Sequence, residues 1–202
     1  FYRLPKESAF LGWHEKTPEN FIFSVKGSRF ITHVKRLKDC GQPLELFFSR
    51  LMRLGEKLGP VLWQLPPAFK ADPKRLNNFF KALKKYKGVK HVFEFRDETW
   101  LADSIVSMLI SEGAALCGAD WPVFNKDIRV TADFIYFRRH GLAAEPYGGC
   151  YSDKQIGEDA RMISGYSGKG MNVYIYFNND AYGHAVKNTL ELKKQAGMIG
   201  VP

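Results

Sequence analysis

The chain has 202 residues, 30 lysines and arginines against 21 aspartates and glutamates, and a formal net charge of +9. With 45% hydrophobic and 25% charged residues it has an ordinary globular balance, which excludes disorder and collagen-like repeats. One domain over 1–202 is expected, and no apolar run approaches the roughly 18 residues of a membrane span, no signal peptide is recognisable, and a cytoplasmic protein is the expectation.

Pro5 is expected to start a first helix through Phe10 and Trp13. A strand follows over Phe21–Lys26, then a loop carrying Ile31-Thr32-His33. Pro43 opens a helix whose stripe is Leu44, Phe47, Phe48 and Leu51, and Gly59 follows its end. Val61–Leu65 reads as a strand. Asp72-Pro73 is an N-cap with a first-turn proline, ahead of Leu76, Phe79, Phe80 and Leu83. His91–Phe95 is the third strand, and Ile105, Met108 and Leu109 mark a helix stopped by Gly113. Ala115–Ala119 and Phe134–Arg138 are the next strands. Ser152 to Gln155 forms a capping box before Ile156, Ala160 and Ile163. After the strand Val173–Phe177, a last helix follows Asn178-Asn179-Asp180 and ends near Gly197.

Most of these strands are continuously apolar, as in a parallel sheet covered on both faces. Repeated strand–helix alternation implies parallel pairing, leaving a closed barrel and an open doubly wound sheet as candidates. Neither a GxGxxG turn nor a Walker A lysine loop is present. Cys40, Cys117 and Cys150 match no zinc spacing and are expected to be buried, reduced thiols, with no structural metal.

The positive charge falls in two groups. Lys81, Lys84, Lys85, Lys87 and Lys90 lie on a helix and its exit and read as a solvated face. Lys26, Arg29, Lys35, Arg36 and Lys38 surround a strand end and loop, where functional groups are more often placed.

Sites in parallel α/β folds sit at the carboxyl ends of the strands. Polar residues recur there: Lys26, Gln64, Glu94 with Arg96, Asp120, Arg138 with His140, and Asn178, Asn179 and Asp180. Period two puts Glu94 and Arg96 on one face, Arg138 and His140 with Tyr136 on one face, and Tyr174, Tyr176 and Asn178 on one face. A structural ion pair of Glu94 with Arg96 or Arg138 is the competing reading. His33 has loop bracing as its alternative, His140 a strand-end hydrogen bond, and His184, three to four residues into the last helix, a cap or stack. Asp133, at the amino end of its strand, reads as structural, and Trp63 and Trp100 as packing. Pro146-Tyr147-Gly148-Gly149 and the start of the last helix suit an anion, although Asp180 competes for that helix end.

Several blocks resemble the YecE-like family, also called domain of unknown function 72. They are Phe1-Tyr2-Arg3-Leu4-Pro5, Ile31-Thr32-His33 before Lys35-Arg36-Leu37, Gln64-Leu65-Pro66-Pro67, Phe93-Glu94-Phe95-Arg96 with Trp100, and Tyr174-Ile175-Tyr176-Phe177-Asn178-Asn179-Asp180. The resemblance implies a TIM-barrel-like parallel (β/α) barrel and no established activity. It further implies that a first strand–helix unit would precede this sequence.

Three functions are carried forward. In the first, an enzyme acts on a small anionic substrate, phosphorylated ones included. Lys26, Arg96 and Arg138 hold it, Glu94, Asp120 and His140 move protons, and His33, Gln64, Tyr176, Asn178, Asn179 and Asp180 line the site. The second is metal-assisted phosphodiester hydrolysis using Glu94, Asp120, His140 and Asp180. The third is a non-catalytic module binding nucleic acid through basic loops. No cofactor, oligomeric state or membrane association is read from the residues.

Overall fold

Asp72 caps and Pro73 opens their helix as the local signal requires: the Asp72 carboxylate accepts from the Arg75 N–H at 2.9 Å. The computed structural model describes residues 4–120, 129–141 and 148–197. In chain order the elements are α1 (Glu7–Lys16), β1 (Phe23–Lys26), a π-helical turn (Phe30–Val34), α2 (Gly41–Leu51), a 3-10 segment (Met52–Lys57) and β2 (Leu58–Gln64). Then come α3 (Pro73–Leu83), β3 (His91–Glu94), a 3-10 turn (Glu98–Leu101), α4 (Asp103–Ser111), β4 (Ala115–Leu116) and β5 (Gly118–Ala119). β6 (Phe134–Arg139), α5 (Asp153–Ser167), β7 (Asn172–Phe177), a 3-10 turn (Ala181–Gly183) and α6 (His184–Gln195) complete the order. The fold is α/β with two parallel sheets, ordered β1-β2-β3-β4 and β5-β6-β7. Two compact units, Phe1–Ala115 and Leu116–Pro202, divide the chain.

In the first unit the apolar stripes of α2 and α3 pack on one sheet face. Trp63, fully buried, meets Phe47 at a ring distance of 5.6 Å and Phe79 at 5.1 Å. Phe93 meets Phe80 at 5.1 Å. These rings carry much of the unit's apolar burial, each worth on the order of 2–3 kcal/mol. Trp100, also fully buried, satisfies its indole by donating to the Phe69 carbonyl. Lys57 is buried because its ammonium donates to the carbonyls of His14 and Thr17, closing the carboxyl end of α1.

In the second unit Tyr151, Ile156, Ala160, Ile163 and Leu192 form an apolar cluster against Val173, Ile175 and Phe177 of β7. The capping box is complete: Ser152 accepts from the Gln155 N–H, and the Gln155 side chain accepts from the Ser152 N–H at 2.9 Å.

Several expectations need correction. Pro43 lies within the first turn of α2, which starts two residues earlier at Gly41. α2 passes into the 3-10 segment, where Gly55 takes a φ of 53°, and Gly59 belongs to β2. A Cβ on Gly59 would lie 2.4 Å from Ile22 Cγ2 and 3.0 Å from the Phe23 carbonyl oxygen of β1, so the close approach of that segment favours glycine. The stretch Ala115–Ala119 is two short strands, one in each sheet, interrupted at Cys117. His33 belongs to the π-helical turn rather than an irregular loop, and His184 is the first residue of α6. Cys40 and Cys117 are buried, and burial raises the Cys40 thiol to about 11. Cys150 is exposed. Among the described residues no helix is long and apolar enough to cross a membrane.

Candidate functional site

The first unit aligns its polar residues through strand register. Lys26 pairs with Leu62, Leu62 with Val92, and Gln64 with Glu94. Paired residues of a parallel ladder share a face and alternate residues return to it. Lys26, Gln64 and Glu94 therefore project from the face opposite Trp63 and Phe93, at the strands' carboxyl ends. Arg96, two residues past Glu94, reaches its carboxylate with Nη2 2.5 Å from Oε1. Glu94 is fully buried and Arg96 is 7% exposed, so this pair is withdrawn from water.

His33 follows β1 on the π-helical turn, a helical form common at functional sites. Its Nδ1 lies 2.8 Å from the Thr32 hydroxyl. Burial lowers its pKa, and the charges of Arg29 and Lys26 lower it further. The neutral imidazole thus sits among cations. Three non-glycine residues of the next turn, Arg36, Leu37 and Asp39, have φ of 46°, 65° and 47°. Buried Leu37 anchors this strained backbone.

In the second unit Arg138 pairs with Ala119 of β5 and Tyr176 of β7. Tyr136 stacks on Tyr176 at 5.3 Å on the same face. Turned with its oxygen toward the guanidinium, the Asn178 amide accepts from Arg138 Nη2 and, at 3.2 Å, from Nε, while its nitrogen donates to the Phe177 carbonyl. The opposite orientation offers only a 3.4 Å contact to His140 Nδ1, so hydrogen bonding selects the first. Arg138 and His140 are 8% and 2% exposed.

Asp120 follows β5 directly, and alternation turns it to the other face, with the Tyr151 cluster. Its carboxylate accepts from the Tyr151 hydroxyl and from the His140 backbone N–H at 2.7 Å. The Tyr151 oxygen also accepts from the Gly141 N–H at 2.6 Å. Burial and then the hydrogen bond and charge of Asp120 push the Tyr151 phenol far above its ordinary range. Asp120 thereby fixes the strand end that carries His140.

The remaining candidates separate. Asn179 is fully buried and donates to the Gly149 carbonyl and the Asn188 side-chain oxygen, each at 2.9 Å. Asn188 in turn accepts from the Tyr151 N–H and donates to its carbonyl. Asp180 is exposed and its side chain caps neither the 3-10 turn nor α6, contrary to its expected place at that helix end. Pro146 and Tyr147 lie outside the described residues.

Sequence reasoning missed Arg139 and Asp159. Arg139 Nε donates to Asp159 Oδ2 at 2.8 Å, on the helix-covered face. Burial alone would lower the Arg139 pKa; the bond to Asp159 reverses this and keeps the guanidinium charged. The signal was present: Asp159 lies in the stripe Ile156, Asp159, Ala160, Ile163, where a buried carboxylate demands a cation.

Among the described residues no group of three or more His, Cys, Asp or Glu side chains is placed to hold a metal ion. Parallel strands bearing polar residues at their carboxyl ends define the general class, an α/β protein with its candidate site on strand ends. The chain belongs to the family of unknown function DUF72, whose model matches residues 1–200. It is 34% identical over 68 residues to the UPF0759 protein YecE of Escherichia coli K12, and the same holds for that protein of strain O157:H7. Those alignments cover 34% of this chain and a quarter of the relatives' length. A crystal structure of a DUF72 family protein from Thermotoga maritima MSB8 superposes with a TM-score of 0.82 at 28% identity, covering 98% of this chain and 82% of that one. One from Enterococcus faecalis V583, at 20% identity, gives 0.82 over the same shares and shows the likeness of fold.

Proposed function

We propose that this protein is an enzyme acting on an anionic substrate, with its anion-holding groups at the carboxyl ends of the parallel strands. The observation that carries the reading is the row Lys26, Gln64, Glu94 on one face of the first sheet, extended by Arg96. Lys26 and Arg96 supply charge, Gln64 and neutral His33 supply hydrogen bonds, and Glu94 is the acid–base group. In the second unit Arg138, Tyr176, Asn178 and His140 are the corresponding groups, while Asp120 acts by holding the His140 backbone. A TIM-barrel-like fold belongs to the same proposal and is supported by the parallel pairing within the sheets and the likeness to DUF72 structures.

The test is protection against heat by inorganic phosphate or sulfate, compared with chloride at equal ionic strength. A ligand that binds only the native state raises the melting temperature by mass action. Wild type should be protected, and Lys26→Met and Arg138→Met should each be compared for loss of that protection. Equal protection of wild type and both variants would reduce the effect to general salting and overturn the proposal. Tight binding of an oligonucleotide without turnover would favour the nucleic-acid module instead.

A further inference from the structure

A groove of about 210 Å³ lies between the turn that follows the π-helical segment and the first turn of α3. Lys38 and Asp39 border it on the first side, and Asp72, Lys74 and Arg75 on the second. Asp72 is already matched: one carboxylate oxygen accepts from the Arg75 N–H at 2.9 Å and the other lies 3.2 Å from Arg75 Nε. The Arg75 guanidinium also lies over the Phe69 ring at 5.4 Å, and Arg36 lies over the same ring at 5.9 Å. Arg75 Nη1 is 3.5 Å from the Arg36 carbonyl oxygen. These contacts orient the guanidinium before any ligand arrives. Lys38 and Lys74 are exposed, and among the described residues neither enters an ion pair. Asp39 offsets only part of the charge of Arg36, Lys38 and Lys74, so the groove is left positive. Its first wall is held under strain. Arg36, Leu37 and Asp39 take the left-handed conformation that residues other than glycine rarely adopt, and buried Leu37 pins them.

We infer that this groove binds two linked phosphate groups, as in a diphosphate ion or the diphosphate end of a nucleotide. The inference goes beyond the strand-end reading and uses none of its residues. Three properties agree. The groove is smaller than the roughly 300–1,000 Å³ of drug-sized ligand sites and suits a compact ion. Cations stand on both walls, so a ligand with two phosphates reaches Lys38 on one side and Lys74 and Arg75 on the other. A single phosphate bonds fully to one wall only. A guanidinium already held in place loses little freedom on gripping an oxyanion, and its planar fork matches phosphate oxygens.

The experiment titrates inorganic diphosphate, inorganic phosphate and adenosine diphosphate into the full chain by calorimetry, at one ionic strength and without added metal. Diphosphate should bind at least about tenfold more tightly than phosphate. Lys38→Met combined with Lys74→Met should abolish that gain while the unliganded protein melts as wild type does, because both side chains are exposed. Lys38→Gln alone, read in the same way, replaces the pair should it not fold. Lys26→Met should keep the gain. Either result with adenosine diphosphate supports the groove and assigns the source: binding as tight as that of the inorganic ion points to nucleotides, and markedly weaker binding points to the free ion. Diphosphate binding no tighter than phosphate, or undiminished in the Lys38 and Lys74 variants, would overturn the inference. A gain lost in Lys26→Met and kept in those variants would overturn it too and move the binding to the strand ends. Failure of the strand-end reading shows separately, as equal protection of wild type and Lys26→Met by phosphate against heat.

Discussion

The Tyr151 hydroxyl donates to the Asp120 carboxylate, which also accepts from the His140 backbone N–H at 2.7 Å. One contact thus ties the segment before α5 to the carboxyl ends of β5 and β6. Tyr151→Phe keeps the ring and its packing against Phe177. It removes one donor to Asp120 and the acceptor of the Gly141 N–H. We expect a loss of about 1–3 kcal/mol in urea unfolding, the cost of leaving buried polar groups unsatisfied. An unchanged midpoint would show that the contact contributes nothing.

Arg139 and Asp159 form a pair whose side chains are 12% and 11% exposed. Breaking it from either side strands a charge. Arg139→Met and Asp159→Leu should each cost about 3–5 kcal/mol. The double variant should be more stable than the sum of the two losses predicts, because neither charge remains. A double-mutant cycle by denaturant unfolding checks this, and strict additivity would deny the coupling.

His91 makes stability sensitive to acid. Trp63 Nε1 donates to His91 Nδ1 at 3.3 Å, which requires the neutral ring, and burial lowers its pKa to about 4. The unfolded ring titrates near 6.5, so below that pH the unfolded chain binds a proton that the folded one does not. Stability from this group is complete above pH 6.5, falls between 6.5 and about 4, and levels off below. The slope reaches at most about 1.4 kcal/mol per pH unit. His91→Gln retains an acceptor without titrating, and its unfolding midpoint should vary less across that interval than the wild-type midpoint.

Gly141 and Gly170 both have positive φ, 90° and 77°, but differ in surroundings. A Cβ on Gly141 would lie 1.9 Å from the Gly148 carbonyl oxygen, whereas nothing lies within 4 Å at Gly170. Gly170→Ala should cost only the backbone term, about 1–2 kcal/mol. Gly141→Ala should cost clearly more, and equal melting temperatures for the two would contradict the close approach.

Features with local causes were legible in the residues. Asp72-Pro73 caps α3, Ser152 and Gln155 cap α5, and the stripe Leu44, Phe47, Phe48, Leu51 is buried on α2, because capping and 3.6-residue periodicity act within a few residues. The strand-end positions of Lys26, Gln64, Glu94 and His140 were legible for the same reason. Only tertiary structure decided which face each polar residue takes and what it meets. Asp120 lies immediately after a two-residue strand, too short to show alternation, and the ladder with β6 turns it toward Tyr151 rather than Arg138. Arg139 and Asp159 are 20 residues apart, and their pairing depends on α5 returning over β6. The break at Cys117 likewise follows from strand partners distant in sequence. Hydrogen-bond register is a relation between strands, so no single segment encodes it.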